Sequence, residues 1–142
     1  MRRAEAFCPA GISSFFEICD TDATGRRLTD LERIGSRGGG FRIGRGVRAR
    51  VSASVSNKSR IDVRINSRRS DANTTRSALT QLLKRSGSKY DVRVEVTARV
   101  PIAAGFGTSA AGTLASCLAL ADLAKIPVTF SELGRIAHVA EV

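Results

Sequence analysis

The sequence predicts an α+β fold in which a mainly antiparallel sheet packs against helices. Two observations support this prediction. Apolar residues alternate with polar ones over residues 41–55, 61–65 and 92–96, the period of a strand with one buried and one wet face. Residues 73–85 and 107–124 have small and apolar residues at helical spacing instead. A chain of 142 residues is long enough to bury the core of one domain.

The first forty residues predict short strands followed by a loop. Residues 4–9 are typical of a short strand that a proline stops, and residues 15–19 of a second buried strand or turn. Loop-forming residues fill positions 20–40 and end in the glycine-rich run 35–40. We therefore expect the regular sheet to begin at Phe41.

The helices have recognisable boundaries. Asn73 or Thr74 is suited to cap the first helix, and Gly87 is suited to end it. Residues 107–124 predict a helix that is buried on most of its surface. A third helical pattern begins at residue 131 and is still running where the sequence stops. We therefore expect the chain to be the amino-terminal part of a longer protein.

The positive net charge of the chain favours an anionic partner. Lys and Arg exceed Asp and Glu by enough to give a net charge of +10, which suits a nucleotide, an acidic substrate or a nucleic acid. Aromatic residues make up only 5% of the chain and there is no Trp, so a stacking platform for single strands is poorly supported.

Composition also argues against other classes of protein. No stretch approaches the roughly 20 apolar residues of a membrane-spanning helix, and no apolar segment follows the basic start. We therefore expect a cytoplasmic protein without a membrane partner. Three widely spaced cysteines and one histidine are too few and too scattered for a zinc site, so we expect reduced thiols.

The segment from Pro101 to Gly112 carries the strongest chemical signal. It follows a predicted strand and begins the buried helix. Gly105 and Gly107 let the backbone approach a ligand, while Thr108 and Ser109 place hydroxyls in the first helical turn. Free N–H groups and the positive end of the helix dipole make such a turn a phosphate cradle. The alternative is a plain strand-to-helix turn that Thr108 or Ser109 caps.

This segment resembles the ATP-binding signature of the GHMP kinases, which include galactokinase and the homoserine and mevalonate kinases. Residues 6–17 and 35–40 are similar to segments of archaeal pantoate kinase, and residues 138–142 resemble the approach to its next motif. The signature residues present here are Pro101, Gly105, Phe106, Gly107, Thr108, Ser109, Ala110 and Ala111.

The resemblance implies the ribosomal protein S5 domain 2-like fold of a GHMP kinase N-terminal domain over residues 1–142. It further implies phosphorylation of pantoate to 4-phosphopantoate, a step towards coenzyme A, with ATP and Mg²⁺ as cofactors. The signature residues would line the phosphates, and Ser109 and Glu141 would contact the metal. Ser36 and Arg37 would bind the substrate, with Arg37 pairing to its carboxylate.

The resemblance also implies that some of the enzyme is missing. The family's general-base aspartate and its carboxy-terminal domain would lie beyond Val142. We therefore expect little or no kinase activity from these 142 residues alone. An uncovered cleft would favour either a homodimer or a separate carboxy-terminal partner chain.

Two other functions stay open. One is a different GHMP kinase, of the homoserine or mevalonate type. The other is a basic nucleic-acid-binding module, because the implied fold also occurs in ribosomal and RNA-handling proteins and the net charge suits a polyanion. The second alternative leaves residues 105–112 without a role.

Overall fold

The computed structural model describes residues 2–142, which form a five-stranded sheet and three helices around one core. The sheet order is β1-β2-β5-β3-β4, and neighbouring strands are antiparallel except for the parallel pair β3 and β5. The predicted α+β class is confirmed, with a mixed sheet. The elements are β1 (Arg2–Cys19), β2 (Gly35–Val55), β3 (Arg60–Ile65), β4 (Arg68–Arg69), α1 (Asn73–Ser86), β5 (Tyr90–Ala98), α2 (Thr108–Ala124) and α3 (Phe130–Glu141).

Strands β1 and β2 form a ribbon much longer than the sequence predicted. β1 continues through Pro9 to Cys19, so the predicted stop at this proline was wrong. Pro9 is tolerated because β1 is an edge strand and because the register shifts between Pro9 and Gly11. β2 begins at Gly35, so the predicted loop over residues 35–40 was also wrong.

The glycines of this run allow the two strands to approach each other. A Cβ atom at Gly38 would lie 2.2 Å from the carbonyl oxygen of Phe15, far inside contact distance. The outer part of the ribbon extends past the core, since Phe15, Phe16 and Ile18 are 71%, 64% and 67% exposed. The prediction that residues 15–19 are buried was therefore wrong.

The core lies between the helices and one face of the sheet. Along β5, Val92, Val94 and Val96 are buried, whereas Arg93 and Glu95 between them are exposed on the other face. The apolar side chains without measurable exposure are Val47, Ala49, Val51, Val63, Ala78, Leu79, Leu82, Val92, Ala115, Cys117 and Leu120. The opposite face therefore carries the charged side chains.

The start of α1 differs from the prediction, whereas its end agrees with it. α1 is preceded by Ala72 in the left-handed conformation and has no side-chain cap, so the prediction of Asn73 or Thr74 as cap was wrong. Gly87 ends α1 as predicted, with a φ of 66°. Thr129 caps α3 and exchanges hydrogen bonds with Glu132 in a capping box. None of the helices within residues 2–142 has the length and apolar character needed to cross a membrane.

Candidate phosphate-binding site

The loop between β5 and α2 turns repeatedly through left-handed backbone conformations. The φ angles of Ala103, Gly105 and Gly107 are 59°, 80° and 64°. Glycine adopts such angles without the steric cost that a Cβ brings. A Cβ at Gly105 or Gly107 would meet no atom within 4 Å, so conformation rather than space requires glycine here. The loop is therefore open to a ligand.

The N-terminus of α2 presents backbone donors beside this loop. Gly107 occupies the cap position, and no side chain caps the helix, so the alternative of a cap by Thr108 or Ser109 was wrong. The first backbone bond of the helix runs from the Ala111 N–H to the Gly107 carbonyl at 3.0 Å. The N–H groups of residues 108–110 precede this bond, at the positive end of the helix dipole. This arrangement can bind an anion.

Ser109 and Glu141, the two predicted metal contacts, lie side by side. The Ser109 hydroxyl donates a hydrogen bond to Oε1 of Glu141 at 2.5 Å, although 32 residues separate them. The contact joins the first turn of α2 to the last turn of α3. Within residues 2–142, no cluster of three or more His, Cys, Asp or Glu side chains could hold a metal. This pair could therefore hold Mg²⁺ only together with ligand or water oxygens.

A cavity of about 380 Å³ lies on one side of the loop. Val47 and Val96 contribute apolar side chains to its lining, and Gly105 and Ser109 line it too. Residues 72–75 at the start of α1 line it as well, so two helix N-termini border one cavity. Helix capping was the only role predicted for Asn73 and Thr74, and their position beside this cavity was not predicted.

A second groove, of about 550 Å³, lies between the loop and the middle of the β1–β2 ribbon. Residues 105–107 form one side of it, and Ser13 and Arg42 contribute to the other. Ser36 and Arg37, the predicted substrate contacts, do not line this groove. They lie in strand β2, exposed, opposite Ile18 and Glu17, rather than in a flexible loop.

Two of the three cysteines lie near this site. Cys8 lines the groove beside the ribbon, and burial raises the pKa of its thiol. Burial raises the pKa of Cys117, inside α2, to about 12. Both side chains are therefore protonated thiols at neutral pH and poor nucleophiles.

Comparison with known proteins gives a family match for the part of the chain that contains this loop. Residues 73–142 match the family described as the GHMP kinases N terminal domain. These residues include α1, β5, the loop, and both Ser109 and Glu141. A search of curated proteins found no match.

Solved structures have the same fold. One described as a phosphotransferase related to the CoA biosynthesis pathway is 26% identical over 98% of this chain and 45% of its own, with a TM-score of 0.82. Homoserine kinase from Cytophaga hutchinsonii is 18% identical over 99% of this chain and 41% of its own (TM-score 0.64). Mevalonate diphosphate decarboxylase from Staphylococcus aureus is 14% identical over 98% and 41% (TM-score 0.70).

The chain therefore spans less than half the length of these three proteins. The fold is shared over at least 98% of the chain, whereas the family match covers residues 73–142, where the loop and the Ser109–Glu141 pair lie. Residues 73–142 match the family described as the GHMP kinases N terminal domain, and the chain has the fold of the solved structures above.

Proposed function

We propose that this chain binds ATP and Mg²⁺ as part of a kinase that phosphorylates an alcohol group of a small molecule. The observation that carries the proposal is the hydrogen bond between Ser109 and Glu141 beside the uncapped N-terminus of α2. It joins two oxygen ligands suited to Mg²⁺ and a set of backbone donors suited to phosphate.

The phosphates of ATP would lie along the glycine loop. The N–H groups of residues 108–110 would donate to phosphate oxygens, and Gly105 and Gly107 would keep the backbone free of side chains. The cavity of about 380 Å³ would take the nucleoside, because its walls combine apolar side chains with the polar start of α1. Phosphoryl transfer depends mainly on such positioning and on charge neutralisation.

The donor set fits Mg²⁺. This ion prefers oxygen ligands, keeps several waters and is usually held by one or two protein groups together with substrate phosphates. The Ser109 hydroxyl and the Glu141 carboxylate supply that number of protein oxygens. When bound, the ion would neutralise charge on the phosphates.

The acceptor would lie in the groove of about 550 Å³ between the loop and the ribbon. Pantoate is the acceptor that we propose; homoserine and mevalonate are the alternatives. Arg42 lines the groove, and we propose that its guanidinium pairs with an acceptor carboxylate. The roles of Ser36 and Arg37 in substrate binding stay a prediction, as does the absence of turnover in the 142-residue chain.

Calorimetric titration of the chain with Mg-ATP tests the proposal. We expect binding in the unaltered chain and a dissociation constant raised roughly 10- to 100-fold in Ser109→Ala, because hydrogen bonds to charged groups contribute about 1.5–3 kcal/mol. Ser131→Ala is the matched control, since Ser131 is exposed in the first turn of α3. Equal affinity in both variants would place the phosphates elsewhere, and no binding by a folded chain would refute the proposal.

The acceptor is tested by titrating the Mg-ATP-saturated chain with pantoate, homoserine and mevalonate in turn. We expect pantoate to bind, and Arg42→Gln to weaken that binding without changing the affinity for Mg-ATP. Preference for homoserine or mevalonate would assign the alternative acceptor. An unchanged affinity in Arg42→Gln would remove this residue from the acceptor site.

A further inference from the structure

A third groove, of about 610 Å³, lies on the face of the sheet that has no helix over it. Arg48 of β2 and Thr97 of β5 are register partners in its floor. Their chain neighbours Val47 and Val96 are buried on the opposite face, where they line the cavity beside the glycine loop. The sheet therefore separates this groove from the proposed ATP site.

Three arginines and no acidic residue line the groove; they are Arg45, Arg48 and Arg99. Arg48 forms an ion pair with Glu5. In the part of the chain that the structure describes, neither Arg45 nor Arg99 has an ion-pair partner. The groove therefore holds positive charge that the protein itself leaves uncompensated.

The rest of this sheet face is different, because acidic residues alternate there with the arginines. Glu95 is the register partner of Arg50 on one side and of Arg64 on the other. Asp62 lies 3.8 Å from Nε of Arg64 and 3.3 Å from Nε of Arg69. An extended polyanion along the sheet would meet these carboxylates. The arginines that lack ion-pair partners among the described residues, Arg45 and Arg99, lie together in the groove at one end of this face. They favour a compact anion instead.

The backbone holds the walls of the groove in place. The N–H of Arg99 donates to the carbonyl of Gly46 at 3.0 Å, which joins the end of β5 to β2. Gly46 itself admits no side chain, since a Cβ there would lie 2.2 Å from the Cys8 carbonyl oxygen. The hydroxyl of Thr97 and the half-exposed ring of Phe7 complete the lining.

We propose that this groove binds a compact anion bearing phosphate groups, at a site separate from the glycine loop. Guanidinium groups bind phosphate oxygens in pairs of parallel hydrogen bonds, and a threonine hydroxyl can donate one more. Two arginines that lack a protein carboxylate gain most from such a ligand. Inorganic phosphate and pyrophosphate carry the same chemistry as a phosphorylated metabolite and serve as probes.

The test is calorimetric titration of the 142-residue chain with phosphate and with pyrophosphate at physiological ionic strength. We expect the double variant Arg45→Gln/Arg99→Gln to lose at least about tenfold in affinity, because two charge-assisted contacts are removed. Arg26→Gln/Arg68→Gln is the matched control, with the same change of charge at exposed positions outside the groove. We expect this control to bind as the unaltered chain does.

Any of the following results would overturn the proposal: no binding by the unaltered chain, unchanged affinity in the folded double variant, an equal loss in the matched control, a loss in Ser109→Ala alone, or binding of an RNA oligonucleotide but of neither probe. The last result would assign the face to nucleic acid. If the double variant does not fold, Arg45→Lys/Arg99→Lys replaces it, since lysine keeps the charge but loses the paired hydrogen bonds. Unchanged affinity in this folded variant would equally contradict the proposal.

Discussion

Helices α1 and α2 are joined by a buried hydrogen bond beside the proposed nucleotide cavity. Oγ1 of Thr75 lies 3.0 Å from Oγ1 of Thr113, and both residues are buried. Replacing Thr113 by Val keeps the volume of the side chain but leaves the Thr75 hydroxyl without this partner. A buried polar group left unpaired costs about 1–3 kcal/mol, so Thr113→Val should lower the free energy of unfolding by about that amount.

A double-mutant cycle separates the hydrogen bond from other effects of the substitutions. Thr75→Val/Thr113→Val removes both hydroxyls, so we expect the double variant to be more stable than the sum of the single effects predicts, by about 1 kcal/mol or more. Urea denaturation followed by circular dichroism gives the free energies. Additive effects within about 0.3–0.5 kcal/mol would refute the reasoning, because they would show that the two hydroxyls do not depend on each other.

Two further predictions concern pH. The Thr129 backbone N–H and the Arg85 guanidinium lower the pKa of Glu132 from 4.5 to about 2, so its stabilisation is present above pH 4.5 and is lost as the pH falls towards 2. Thermal unfolding of Glu132→Gln should therefore depend less on pH in this window, and an unchanged profile would contradict the assignment. Burial raises the pKa of Cys117 from 9.0 to about 12, so its contribution to stability is present below pH 9 and is lost as the pH rises towards 12. At pH 8 a thiol reagent should modify Cys117 only after unfolding; rapid labelling of the folded chain would be the contrary result.

The inner strands and the helices were predictable because local pattern and tertiary environment agree. The alternation over residues 92–96 places its valines in the core, and residues 73–86 bury one face against α2. Gly87 ends α1 in a left-handed conformation, which its missing Cβ allows. In each case the local sequence indicates the same structure that tertiary packing stabilises.

The ribbon was not predictable in the same way. Residues 35–40 are rich in glycine, which favours a loop when each residue is considered alone. In the structure they pair with residues 13–19 of β1, and a side chain at Gly38 or Gly40 would strike the partner strand. Glycine is required at these positions because the backbones of β1 and β2 lie close together. This contact between distant segments cannot be recognised from the local sequence.

The start of α2 could be identified as part of the candidate site from the sequence, whereas the start of α1 could not. Ser109 could be singled out because it follows two glycines and begins a helix, and the structure brings it to Glu141. Ala72, by contrast, has no polar side chain that would mark it in the sequence. It precedes α1 in a left-handed conformation, and no side chain caps this helix. Gly107 precedes α2 and is also in the left-handed conformation. Because no side chain caps either helix, the backbone donors of both N-termini are left for whatever occupies the cavity between them. We therefore expect ATP binding to stabilise α1 as well as the glycine loop, and slower amide hydrogen exchange at residues 73–75 on addition of Mg-ATP would show it.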